Sequence, residues 1–194
     1  MTINFYYRSD NKEAQQSAEK IKVWIKEKYP KIKIDKRPKV LIVLGGDGTI
    51  LEAARKYQKS STVIFGLNMG HVGFLASVRD QKSFLSALEQ FFNGKYGVVK
   101  KMMITATVFR KNKPIYTTNA LNEIAILNLL GMVELAVNID GYTAQNVWGS
   151  GLMVATASGS TAYNLSAHGP IVMPDIKCMI LTEVLDHNIP TPSI

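Results

Sequence analysis

The run Lys39-Val40-Leu41-Ile42-Val43-Leu44-Gly45-Gly46-Asp47-Gly48-Thr49 constrains the fold of this chain more than any other stretch. An unbroken apolar, β-branched segment of this length reads as a strand buried on both faces. It ends in three glycines around one carboxylate, and the helical pattern beyond them predicts a tight strand-to-helix turn. Glycine admits positive φ and lets a bulky ligand reach the backbone. The amides of such a turn, with the next helix N-terminus, offer a positive dipole to phosphate. Asp47 is the odd element, because a carboxylate repels phosphate unless it binds a metal or takes a proton from an attacking hydroxyl. Phosphoryl transfer suits that combination; an ordinary turn with a helix-capping aspartate is the competing reading. The G-x-G-x-x-G spacing is absent, and no Lys-Ser/Thr pair follows, which sets aside the Rossmann fingerprint and the Walker A loop.

Around this turn the N-terminal half alternates strands and helices. Strands are expected at Ile3–Tyr7, Ile32–Ile34, Lys39–Leu44 and Thr62–Leu67. Ser9 or Asp10 is expected to cap a helix carrying Ala14, Ala18, Ile21 and either Trp24 or Ile25 at helical spacing, which ends before Pro30. The helix after Thr49 is expected to carry Leu51, Ala54 and Tyr57 on one face. Another, from about Asp80 to Phe92, should bury Phe84, Leu85, Leu88 and Phe91. This order predicts an open, Rossmann-like α/β domain over residues 1–97. From Val98 onward the texture is short strands: Met102–Phe109, Tyr116–Leu127 and Val133–Ile139, with Asp140-Gly141 as a hairpin turn into Tyr142–Trp148. A second, mostly antiparallel β domain is expected over 98–194. Lys177 to Asp186 could be helical, and Pro190-Thr191-Pro192 reads as unstructured.

Three further segments carry candidate chemistry. The loop Gly66-Leu67-Asn68-Met69-Gly70-His71-Val72-Gly73-Phe74 is glycine-punctuated, and His71 either contacts phosphate or is a structural histidine. Asn122-Glu123 lies within the apolar run Ala120–Leu127, where polar groups cost free energy unless hydrogen-bonded. Such acceptors suit ribose hydroxyls, or else mark an exposed strand edge. Gly149 to Ser166 is dense in glycine and small hydroxyl residues. There Ser158 is expected to cap a helix starting near Ser160, and Tyr163 offers a ring for a base to stack on. The net charge of +8 over 194 residues favours anionic partners or a plain solvated lysine surface. The lysines of the N-terminal third alternate with apolar residues and need not form a site. One cysteine, Cys178, excludes an internal disulfide and suits a reducing compartment. With no apolar run near bilayer length, a soluble intracellular protein is expected.

Gly45-Gly46-Asp47-Gly48-Thr49, the Gly66–Phe74 loop, Asn122-Glu123 and the Ser158–Ser166 segment stand in the order and spacing of the NAD kinase family, which the chain resembles over roughly residues 39–174. The glycine-aspartate element is shared with diacylglycerol and sphingosine kinases; its combination with the other segments is far more specific. The resemblance implies phosphoryl transfer from ATP, or from inorganic polyphosphate, to the adenosine-ribose 2′-hydroxyl of NAD, giving NADP. It implies an N-terminal α/β domain, a C-terminal β domain, a divalent metal such as Mg²⁺, a cytoplasmic location and a homodimer or homotetramer, with neither nucleic acid nor membrane as partner. Asp47 is similar to the family's catalytic aspartate, as general base or as metal organiser with the substrate phosphates. Gly45, Gly46, Gly48 and Thr49 correspond to the phosphate-binding turn. Asn68, His71, Phe74, Asn122, Glu123, Ser150, Ser158, Thr161, Ala162, Tyr163 and Ser166 correspond to nucleotide-binding positions.

Some positions depart from the pattern. Ser150 stands where the family usually has an aspartate, Ala157 where it has proline, and His168 where glycine is common. The resemblance fades after Pro174, so the β domain is expected to be incomplete relative to the family. Two other readings follow from these departures: a non-catalytic nucleotide-binding protein on the same scaffold, and a lipid kinase of the same superfamily.

Overall fold

The computed structural model describes residues 1–58, 60–70, 73–187 and 193, in two compact units, Met1–Val99 and Lys100–Ile194.

The first unit is a four-stranded parallel sheet, in order β2-β1-β3-β4, made by β1 (Thr2–Tyr6), β2 (Lys33–Ile34), β3 (Val40–Gly45) and β4 (Val63–Asn68). Every residue of β3 is buried, as a strand covered on both faces requires. Period-two alternation divides its side chains between two cores. Val40, Ile42 and Leu44 pack with Ile3, Leu67 and the inner faces of α1 (Lys12–Lys28) and α3 (Phe84–Phe92). Leu41 and Val43 pack on the other face with Ile50 and Ala53 of α2 (Asp47–Tyr57). Each such aliphatic side chain contributes about 1.5–3 kcal/mol by burial.

Because β1 leads into α1 on one face and β3 into α2 on the other, the direction of winding reverses between these adjacent strands. That reversal opens a crevice beyond the strands' carboxyl ends, the usual ligand position in an open α/β sheet. The glycine turn sits at this end of β3.

The details correct several expectations. The cap of α1 is Asn11, not Ser9 or Asp10: its Oδ1 accepts from the Ala14 amide at 2.9 Å. In α2 the inward residues are Thr49, Ile50, Ala53 and Ala54. Tyr57 packs against the core beneath α2 as expected, whereas Leu51 is only partly covered, because the helix starts at Asp47 and turns Ile50 onto β3. A turn of 3-10 helix over Gln81–Ser83 precedes α3, which buries Phe84, Leu88 and Phe91 and leaves Leu85 exposed.

The second unit is built on β9 (Tyr142–Thr156), a 15-residue strand that runs well beyond the expected Trp148. β7 (Glu123–Leu127), β8 (Val133–Ile139) and β10 (Met179–Asp186) each pair antiparallel with it. β5 (Ile104–Arg110) and β6 (Lys113–Ala120) form a separate hairpin. Asp140 and Gly141 both have positive φ, 50° and 86°, which is the conformation of a two-residue type I′ turn.

Two expectations fail here. Tyr116–Leu127 is not continuous: Leu121 and Asn122 separate β6 from β7, and Thr156 holds both of their carbonyls. Its hydroxyl donates to Leu121 O at 2.6 Å and its amide to Asn122 O at 2.8 Å. The stretch expected to be helical near the C-terminus is β10, in which Ile180, Thr182 and Val184 are buried at strand period against β9. The Pro190-Thr191-Pro192 expectation lies outside the described residues.

Candidate functional site

In the first unit the glycine turn is built against a second loop. Gly45 pairs with Asn68 at the ends of β3 and β4, and the Met69 amide donates to Gly45 O at 3.3 Å. A Cβ on Gly45 would overlap the side chain of buried Thr49, so both residues are required by packing. A Cβ on Gly46 or Gly48 would meet nothing within 4 Å. The fold does not need glycine at these two positions, and their missing side chains leave the first amides of α2 bare. Those amides have no intrahelical acceptor.

Asp47 is the first residue of α2 and partly exposed. Its carboxylate does not cap its own helix; it reaches the second loop. Oδ2 accepts from the Phe74 amide at 2.8 Å and Oδ1 from the Leu75 amide at 3.2 Å. Each carboxylate oxygen can accept a further bond. Gly73 makes the approach possible, since a Cβ there would lie 2.7 Å from Asp47 Oδ1. Buried Asn68 closes the loop from below, its Oδ1 accepting from the Gly70 amide at 3.0 Å. Phe74 projects into solvent, 66% exposed. His71 lies outside the described residues.

The second unit gathers the other candidates. Asn122 Oδ1 and Glu123 Oε2 are buried acceptors without a hydrogen-bond partner in the structure. Burial without compensation pushes the Glu123 carboxyl above the usual glutamate range. Gly159 packs directly on the backbone of Asn122, because a Cβ there would overlap Asn122 O. The expected cap at Ser158 is not made. Ser158 has helical φ and ψ and forms no side-chain cap bond, and Thr156 Oγ1 takes the Gly159 amide instead at 3.1 Å. Gly159–Thr161 is a 3-10 turn, followed by the four-residue α4 (Tyr163–Ser166). Tyr163 and Ser166 are exposed, and Thr161 and Ala162 are partly so. Ser150 is half-buried in β9, between Gly149 and Gly151, whose added Cβ atoms would strike Asp186 and Ile126.

Sequence reasoning missed Thr156, Asn164 and Thr182, all buried and all polar. Thr156 and Asn164 lie inside the hydroxyl-rich run and could have been weighed as its supports. Thr182 carries no such signal.

Residues 3–96 match the family model of the ATP-NAD kinase N-terminal domain, and residues 121–190 match that of the ATP-NAD kinase C-terminal domain. The chain belongs to the NAD kinase family. It is 36% identical over 166 residues to an NAD kinase of Cupriavidus pinatubonensis, a match covering 83% of this chain and 54% of the relative. It is 40% identical over 158 residues to one of Thermoanaerobacter pseudethanolicus, covering 79% and 55%. The chain thus spans about half the length of these curated relatives. Among solved structures, an NAD kinase from Archaeoglobus fulgidus in complex with ATP superposes with a TM-score of 0.82 at 26% identity, covering 100% of this chain and 76% of that one. Yeast NADH kinase complexed with NADH superposes at 0.90, covering 100% and 68%; at 18% identity it speaks for the fold alone. An N-terminal parallel α/β unit followed by an antiparallel β unit is the fold of this family.

Proposed function

We propose that this protein transfers the γ-phosphoryl of ATP to the 2′-hydroxyl of the adenosine ribose of NAD, giving NADP. One observation carries the reading: Asp47 is held by two backbone amides at the winding reversal of the sheet, with glycines on either side that packing does not require. The amides of Gly46, Asp47 and Gly48 receive phosphate oxygens. The ribose hydroxyl attacks the γ-phosphorus in line, the bond to the β–γ bridging oxygen breaks, and ADP departs. Asp47 takes the hydroxyl proton, a contribution on the order of 10²–10⁴-fold in rate. The remaining acceleration comes from positioning and charge neutralisation.

Residues 1–97 act as the phosphate-handling domain and 98–194 as the NAD-recognising domain. The unpartnered Asn122 Oδ1 and Glu123 Oε2 support this assignment, since both can accept from sugar hydroxyls. Thr161, Ala162 and Ser166 line the dinucleotide with Ser158 and Ser150, and the exposed ring of Tyr163 stacks on a base. Phe74 packs near the adenosine. Inorganic polyphosphate would meet the same amides as an alternative donor.

Among the described residues no group of three or more His, Cys, Asp or Glu could hold a metal. Mg²⁺ would be held by the substrate phosphates, with Asp47 as the candidate protein ligand, and would neutralise phosphate charge. The family resemblance supports a homodimer or homotetramer. The lone Cys178 fits the cytoplasm, and no helix among the described residues is long and apolar enough to cross a membrane.

The test is incubation with NAD, ATP and Mg²⁺, read out by an NADP-specific dehydrogenase. NADP should form and should vanish in Asp47→Asn while NAD still binds. Binding without NADP formation in the natural chain would assign the scaffold to a non-catalytic role. Phosphorylation of a lipid would assign it to the related lipid kinases.

A further inference from the structure

Asn164 is fully buried, at 0% exposure, within a segment whose neighbours Tyr163, Leu165 and Ser166 face solvent. No ligand can touch it, yet its carboxamide is saturated by three different parts of the unit. Nδ2 donates to Ser160 O at 3.3 Å and to Pro170 O at 3.1 Å, and Oδ1 accepts from Thr182 Oγ1 at 2.7 Å. Its backbone carbonyl accepts from the Gly169 amide at 2.8 Å, and a Cβ on Gly169 would overlap the carboxamide. Ser160, equally buried, completes the cluster: its hydroxyl donates to Ala157 O at 2.7 Å and accepts from the Val172 amide at 3.1 Å.

We propose that Asn164 is a positioning residue that, from beneath, fixes the conformation in which residues 158–166 meet the dinucleotide. A 3-10 turn and a four-residue helix have too few internal hydrogen bonds to hold one shape. The shape comes from the cluster, and β10 supplies its anchor through Thr182. A core residue of a strand that touches no ligand thereby sets affinity. The ligand half of this inference rests on the reading of this segment as NAD-binding.

The test compares Thr182→Val, which keeps the shape but removes the donor to Asn164, with Thr182→Ser, which retains the hydroxyl. Asn164→Asp provides a second, isosteric perturbation that turns a double donor into an acceptor. Amide exchange is followed without ligand, and NAD affinity by calorimetry on the full chain. Thr182→Val and Asn164→Asp should speed exchange over residues 160–167 by about tenfold or more, leave β7 and β9 unchanged, and weaken NAD by about tenfold. Thr182→Ser should restore both. Faster exchange throughout the unit would mean that Asn164 is only a structural prop, and would overturn the proposal. Unchanged local exchange, or unchanged NAD affinity despite faster local exchange, would overturn it as well. If the natural chain does not bind NAD although local exchange responds as expected, the NAD reading of the segment fails, and only the anchoring of the segment is upheld.

Discussion

Gly45 and Gly48 stand in one turn, but the structure gives them opposite reasons for lacking a side chain, and alanine substitution separates these reasons. At Gly45 the added methyl would lie 2.7 Å from Thr49 Cβ and closer still to its hydroxyl, in a buried position. Overpacking of this kind costs about 1–3 kcal/mol. At Gly48 the methyl would meet nothing within 4 Å, and the residue is already helical within α2. Replacing a helical glycine by alanine returns about 0.5–1 kcal/mol of backbone entropy and helix propensity. For a unit the size of Met1–Val99, that is a rise of roughly 2–6 °C in Tm, against a fall of several degrees for Gly45→Ala. Function should move the other way. If phosphate oxygens approach the bare backbone at Gly48, the methyl occupies their place, and a displacement near 1 Å costs about 10²-fold in kcat/KM. Calorimetric Tm and NADP formation, measured on the same preparations, decide the matter. A Gly48→Ala protein that is more stable and as active as the natural chain would refute the assignment of this glycine to ligand approach.

Other substitutions test the remaining contacts. Gly73→Ala should push the Asp47 carboxylate off the Phe74 and Leu75 amides, cutting activity about 10²-fold and speeding exchange of those two amides, with unit stability changed by about 1 kcal/mol or less. Glu123 has a carboxyl raised by burial above the ordinary value of 4.5, so the folded chain keeps this proton at pH values where the unfolded chain has lost it. Its contribution is fully present below pH 4.5 and is lost as pH rises through the higher folded-state value. Glu123→Gln should therefore flatten that part of the stability–pH curve, raise stability at pH 7, and weaken NAD binding, all measurable by thermal melts and calorimetry. Gly159→Ala should destabilise the second unit by about 1–3 kcal/mol, since its methyl would have to displace the Asn122 backbone; a denaturant titration reports this.

The first unit was readable because its signals are local. β3 is apolar at every position, and the glycines mark its end, so strand, turn and helix followed from adjacent residues. The inward face of α2 was read only in part: Ala54 and Tyr57 do meet the core, but Thr49 and Ile50 lie in the first turn, where periodicity has few residues to work with. The second unit depends on pairing between distant segments. Met179–Asp186 buries every second residue from Ile180 to Val184, yet its short apolar run suits a helix equally until β9 is available as partner. The Leu121-Asn122 break is likewise invisible locally, because Thr156, far along the chain, makes it. Among candidate site residues, Asp47 was conspicuous, but its partners Phe74 and Leu75 could not be inferred, since backbone amides carry no sequence signature. Ser158 resembled a cap by residue type alone, whereas the amide it was expected to hold is taken by Thr156.

The long strand β9 has a consequence for biosynthesis. β7 and β8 are made before it and β10 after it, and all three find their hydrogen-bonding partner in this one strand. As the chain leaves the ribosome, the parallel sheet of the first unit can close early, whereas β7 must wait, unpaired, until its template has emerged. Loop closure of that kind slows assembly and exposes apolar edges in the interval. A chain-terminating lesion within Tyr142–Thr156 would therefore forfeit several ladders together and leave β7 without its partner, a species suited to recognition by chaperones and proteases.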